Sequence, residues 1–119
     1  MRFVEIINIT NPLKSPLQAG ICESFFQKLR GLMFYPSISL RESRLFIEKE
    51  ESKLNTSIHM LFMKFDIAVV WLDRRLEVVD VILARKWRPY YVPSRPAQYT
   101  LELHASRINE FRIGDKISF

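Results

Sequence analysis

His59 stands in a run of mostly apolar residues, Ser57–Asp73 (SIHMLFMKFDIAVVWLD), whose other charged members are Lys64, Asp66 and Asp73. An imidazole there can act as a general base or bind an anion, because its charge is adjustable near neutral pH. The plainer role is a structural hydrogen bond inside an apolar strand. Arg30, just before Gly31, offers a planar fork of donors suited to an anion or a buried carboxylate. At a helix C-terminus the same side chain would also serve the last carbonyls and the helix dipole. Glu102, between Leu101 and Leu103, points away from the face those leucines bury, toward solvent if the strand is open on that side. If the sheet closes or a helix covers it, Glu102 could pair with Arg30. The candidate ligand site therefore centres on Arg30, His59 and Trp87, with Glu102 and Asp66 as further binding groups.

A second set of residues points elsewhere. The loop 85–95 interleaves Arg85, Lys86, Arg88 and Arg95 with Trp87, Tyr90 and Tyr91. Basic groups neutralise phosphates and aromatic rings stack on bases, so the loop fits a single-stranded nucleic-acid surface. Alternatively, Trp87 is a packing anchor with the charges solvated around it. Met33, Met60, Phe62 and Met63 suit either a soft apolar pocket or plain core filling.

Other chemistries have little support. One cysteine, Cys22, and two histidines, His59 and His104, are too few for a Cys/His zinc site of the usual spacings, and neither a metal nor another cofactor is expected. There is no glycine-rich phosphate loop, Rossmann fingerprint or nucleophile elbow. The favoured reading is a small-ligand or protein-partner binding module. A nucleic-acid-associated domain using loop 85–95 comes second, and a small enzyme centred on His59 third.

The elements that must position these groups follow from periodicity and punctuation. Phe3–Ile9 reads as a strand, and Asn11-Pro12 with Ser15-Pro16 as a loop. Ile21, Phe25, Phe26, Leu29, Leu32 and Met33 fall at helical spacing, which predicts an amphipathic helix over about Cys22–Arg30, stopped by Gly31. Pro36–Ser43 is a loop, Leu45–Glu48 a strand, and Glu48–Lys53 a solvated charged connection. Ile58–Phe62, Ile67–Leu72 and Glu77–Leu83 read as strands, the last two joined at Asp73-Arg74-Arg75 as a hairpin. Prolines 89, 93 and 96 keep Lys86–Ala97 out of regular strand. Gln98–Leu103 forms a strand, Ala105–Phe111 a short helix, and Ile117–Phe119 a closing strand.

The expected fold is a single α+β domain over residues 1–119, a curved or partly closed, mainly antiparallel sheet or barrel. It carries one main helix and a short C-terminal one. The composition, 48% hydrophobic with 13% aromatic residues, excludes a disordered chain. No run approaches the roughly twenty apolar residues of a membrane span. Lone Cys22 and the absence of a signal-peptide pattern lead to a cytoplasmic expectation. The net charge of +5 suits an anionic partner, but a basic surface that only confers solubility is the commoner reading in a small domain.

Five motifs in order along the chain resemble the domain of unknown function 192 family. Arg30-Gly31-Leu32-Met33 is similar to its "R-G-L-M" signature, and Ser57–Phe65 to its "I-H-x-x-F-M-x-F" segment. Trp87-Arg88 with Leu101-Glu102-Leu103 resembles its "P-W-R" and "L-E-L" regions, Lys86 standing in place of the proline, and Gly114-Asp115 its closing "G-D" turn. The resemblance spans about Cys22 to Phe119 and implies a small conserved domain without a settled activity. Many members of that family carry secretion signals, so this chain looks like a cytoplasmic version. It departs from the family at Ala68, where an acid is usual, and at Ala105-Ser106, where "A-G" is usual. Asp66, two residues before Ala68, shares its face in a regular strand and is the expected substitute for the missing charge.

Overall fold

The computed structural model describes all 119 residues. Its main sheet has six strands in the order β1 (Phe3–Glu5), β3 (Gln18–Cys22), β4 (Glu42–Ser52), β7 (Ala97–His104), β5 (Ile67–Leu72), β6 (Val78–Ala84). A small second sheet pairs β2 (Ile7–Asn8) with β8 (Ile117–Ser118). All neighbours are antiparallel except β3 and β4, which run parallel. The sheet is therefore mixed and open, not closed into the expected barrel. Closure is not needed to protect β6, because its first residues are tied to the C-terminal segment: Val78 N–H donates to Asp115 O and Gly114 N–H to Val78 O.

Strand parity sorts the core into two layers. Leu45, Ala68, Val70, Leu101 and Leu103 face one side with Ile6, Leu17, Phe111 and Ile117. Ile67, Val69 and Trp71 face the other, under Leu32, Ile38, Met60 and Met63. Because β5 is buried on both faces, its continuous apolar run marks a central strand.

Helix α1 spans Phe25–Arg30 and is shorter than its apolar spacing suggested. Ser24 caps it: its Oγ accepts from Gln27 N–H, and Gln27 Oε1 accepts from the amides of Glu23 and Ser24. The preceding Gln18–Cys22 forms β3, whose small, buried Ala19, Gly20 and Cys22 lack the alternation that identifies a strand. No residue of α1 is buried, and Phe25 and Phe26 are exposed, so the helical stripe is not a core face.

Three further expectations change. The charged Glu48–Lys53 is mostly strand, because β4 continues to Ser52 with an irregular register after Ile47. Ile58–Phe62 is not a strand: only Ile58 bridges to Tyr91, and the chain turns so that Met60 and Met63 enter the core. The C-terminal helix is a 3-10 helix over Ala105–Glu110. The hairpin at Asp73 forms as read, with Asp73 Oδ1 accepting from the amides of Arg75 and Glu77. That Asx-type bonding replaces the turn chemistry which Arg-Arg lacks.

Candidate functional site

A cavity of about 100 Å³ lies on the Val69–Trp71 face of the sheet, where the end of α1 crosses β4 and β7. Its walls are Lys28–Met33, Phe46 and Glu48 of β4, Asn55–His59, Met63, and Thr100 and Glu102 of β7. The structure thus brings together three residues singled out from sequence: Arg30, His59 and Glu102. The segment carrying His59 is held by Trp71, whose indole Nε1–H donates to Thr56 O at 2.8 Å.

Gly31 permits the close approach of the helix end. Its φ of 46° lies in the left-handed region. A Cβ there would come within 3.0 Å of the Phe46 ring and 3.6 Å of Glu102 Oε1. The backbone angle favours glycine here, and a Cβ would press the Phe46 ring back by a few tenths of an ångström. Beside it, Lys28 and Glu48 form an ion pair of 2.5 Å that borders the cavity.

Glu102 is 7% exposed, and burial pushes its carboxyl up to about 8, with Arg44 pulling the other way. At neutral pH the group is largely a neutral acid, able to donate as well as accept a hydrogen bond. His59 Nδ1 is buried with no hydrogen-bond partner in the protein, a condition that buried polar atoms rarely tolerate. Cys22 lies on the same sheet face as Glu102. Burial raises its thiol to about 11, which keeps it a poor nucleophile.

The expected Arg30–Glu102 ion pair does not form. No carboxylate lies within 4 Å of Arg30; its guanidinium sits 5.3 Å from the centre of the Tyr35 ring, which Arg44 approaches at 5.4 Å. The neighbour of Glu102 is Arg44, its cross-strand partner, which the sequence reading did not single out. A basic residue in a strand opposite Glu102 carries that signal only once the register is known.

Asp66 does not replace the acid absent at Ala68. Ala68 is fully buried in the apolar layer on the opposite face from Glu102. Asp66 precedes β5, accepts from the Lys86 amide at 2.8 Å and lies 3.9 Å from Arg85. It fastens loop 85–95 to the sheet and lines no part of the cavity. Ala68 therefore takes no part in the cavity, whose own polar groups lie on the other face.

Trp87 also lies outside the cavity. It is 56% exposed and stacks edge-on against Phe62 at 5.3 Å, so it is not a buried anchor. Lys86, Arg88, Tyr90 and Arg95 are exposed in the same loop, while Tyr91 is half-buried beneath Arg88 and accepts from the Arg85 amide through its hydroxyl. His104 caps the 3-10 helix, its Nδ1 accepting from Ser106 N–H at 3.1 Å and lying 2.8 Å from Ser106 Oγ. Ser106 thus completes the cap. Asp115 of the closing turn accepts from Asn8, Asn11 and the Arg112 amide, and ties the N-terminus to the C-terminus.

The fold recurs in solved structures. A Sinorhizobium meliloti protein, described as a candidate transcription regulator, matches with a TM-score of 0.83 over 98% of this chain and 91% of its own, at 17% identity. A protein of unknown function from Novosphingobium aromaticivorans matches at 0.82, covering 98% and 85%, at 13% identity. At these identities the likeness is one of fold. In sequence, a UPF0127 protein of Thermococcus sibiricus is 42% identical over 116 residues, covering 93% of this chain and 73% of the relative. A UPF0127 protein of Pyrococcus horikoshii is 36% identical over 118 residues, covering 96% and 97%. The model of the domain of unknown function 192 family, described as "Uncharacterized ACR", matches residues 6–119, and the chain belongs to that family.

Proposed function

We propose that the chain is a small-ligand binding module whose site is the cavity between α1, β4, β7 and Asn55–His59. The observation that carries this reading is the buried, unpartnered His59 Nδ1 beside a cavity whose wall includes the buried Glu102 carboxyl. A buried polar atom left without a partner at the wall of a concave site is what a hydrogen-bonding ligand completes. The cavity is well below the size of a drug-sized site, so the occupant, or the part of it that enters, has only a few heavy atoms. It carries both donors and acceptors, to match an imidazole nitrogen and a neutral carboxyl. Arg30 at the rim adds a cation for an anionic tail.

An enzymatic reading of the same cavity rests on Glu102 holding a proton near neutral pH, where it could act as a general acid. Binding comes first in either case. The test is native mass spectrometry of the purified protein for a retained small molecule, followed by a thermal-shift screen of small polar compounds. A compound that stabilises the wild type and not Glu102→Gln or His59→Phe supports the site. If no compound is retained or stabilises the protein, and an experimental structure shows only ordered water there, the reading is wrong.

A further inference from the structure

Three aromatic residues outside the cavity form a continuous ridge. Phe34 packs on Phe62 with ring centres 5.3 Å apart, and Phe62 packs on Trp87 at the same distance. They come from three separate loops, joined by Phe34 N–H donating to Phe62 O and Trp87 N–H to Met60 O. All three are about half exposed, and Leu61 adds a further exposed apolar side chain.

Each residue of the ridge also has a left-handed backbone, with φ of 68° at Phe34, 63° at Phe62 and 67° at Trp87. Leu76 is the only other non-glycine residue in that region. Bulky side chains adopt it at a cost, and such strain collects where function requires it. Here the strain does not bury the rings: it holds three aromatic side chains outward in mutual contact.

Charge singles out the same surface. Of the eighteen Lys and Arg residues, five lie in segments 31–40, 57–65 and 85–95, namely Lys64, Arg85, Lys86, Arg88 and Arg95, and these segments contain no Asp or Glu. The thirteen basic residues elsewhere match the thirteen acidic ones. With Asp66, which directly follows the second segment, these loops hold a net charge of +4 out of the protein's +5. Asp66 offsets only Arg85, at 3.9 Å.

We propose that the ridge docks on the surface of an anionic lipid bilayer, the aromatic side chains entering the headgroup boundary and Lys64, Lys86 and Arg88 meeting lipid phosphates. Aromatic rings favour that boundary, and clustered cations favour an anionic leaflet. Attachment would be peripheral, since no helix is long and apolar enough to cross a membrane. A bilayer fits the ridge better than a nucleic acid does, because Phe62 is flanked by Phe34 and Trp87. The rings make one packed knob instead of separate platforms on which successive bases could stack. The proposal does not rest on the cavity reading.

The test is co-sedimentation of the full chain with vesicles of phosphatidylcholine alone or containing phosphatidylglycerol. The expected result is binding to the anionic vesicles and little to the neutral ones. It should weaken at least ~10-fold in Lys64→Glu/Lys86→Glu and to a similar degree in Phe34→Ser/Phe62→Ser/Trp87→Ser. The charge-matched control Lys49→Glu/Lys53→Glu, outside the ridge loops, should bind like the wild type. Because the altered side chains are exposed, circular dichroism should show folded variants; the charge-reversal pair leaves the aromatic contacts intact and decides the matter if the serine variant does not fold. No sedimentation, equal binding to both vesicle types, or loss in the control as well would overturn the proposal. So would salt-sensitive binding of short single-stranded oligonucleotides without vesicle binding.

Discussion

Arg44 and Glu102 are register partners on β4 and β7 and share the sheet face that carries the cavity, yet they form no ion pair within 4 Å. Arg44 instead donates through Nη1 to Ser43 O, and its Nε is left without a partner. Without a direct charge-assisted hydrogen bond, the desolvation of Glu102 outweighs the attraction of the guanidinium.

The stability of the protein should therefore depend on pH through Glu102. Its folded value of about 8 lies above the ordinary 4.5, so the folded state keeps a proton that the unfolded chain releases. The stabilisation is complete below about pH 4.5 and is lost progressively as pH rises to about 8. Urea denaturation at pH 5 and pH 8 should show a fall on the order of a few kcal/mol in the wild type, largely absent from Glu102→Gln. Parallel profiles for the two proteins would show that Glu102 titrates as an ordinary carboxylate.

Gly31→Ala should destabilise the fold by about 1–3 kcal/mol. The new methyl meets both a left-handed backbone and the Phe46 ring at 3.0 Å. The loss should appear as a lower urea midpoint with an unchanged slope. A change below a few tenths would mean that the helix end shifts freely and that the cavity wall is soft.

Arg107 is 3% exposed and its guanidinium serves Glu110, Ser15 O, Pro16 O and Leu40 O. Arg107→Met should cost roughly 3–5 kcal/mol, the range for removing one partner of a buried pair. Glu110 is held below the usual carboxylate range, chiefly by its hydrogen bond from Arg107. Its contribution is present above the unfolded pKa and lost as pH falls through the folded one. Acid titration of stability should therefore be shallower in the variant than in the wild type.

Trp71→Phe should remove the indole bond to Thr56 O while keeping most of the apolar packing. A loss of about 1–2 kcal/mol is expected. Amide hydrogen exchange should accelerate over residues 55–59, because that segment is bound to the sheet through this contact. Unchanged exchange there would assign its order to the Ile58–Tyr91 bridge instead.

The central architecture was legible wherever burial leaves a simple pattern. Ile67–Leu72 is apolar on both faces, Gln98–Leu103 alternates, and the Asp73 turn supplies its own side-chain acceptor; all three appear in the structure. Patterns failed where an apolar side chain is exposed for another reason. Phe25, Phe26 and Leu29 mimic a buried helix stripe although all three are exposed, and the apolar Ile58–Phe62 turns inward at Met60 and outward at Phe62. The small residues of β3 carry too little side chain to signal a strand.

By itself the sequence determined the family and the α+β class and singled out Arg30, His59 and Glu102 as candidates, because motifs and periodicity are local properties. Tertiary structure alone decided that these three line one cavity while Trp87 stands apart on an exposed ridge. It also decided that Glu102 faces Arg44 instead of forming an ion pair with Arg30. The physical reason is that pairing, burial and strained backbone angles arise from strand register and from loops meeting across the sheet. Those contacts join positions far apart in the chain, so no local spacing records them.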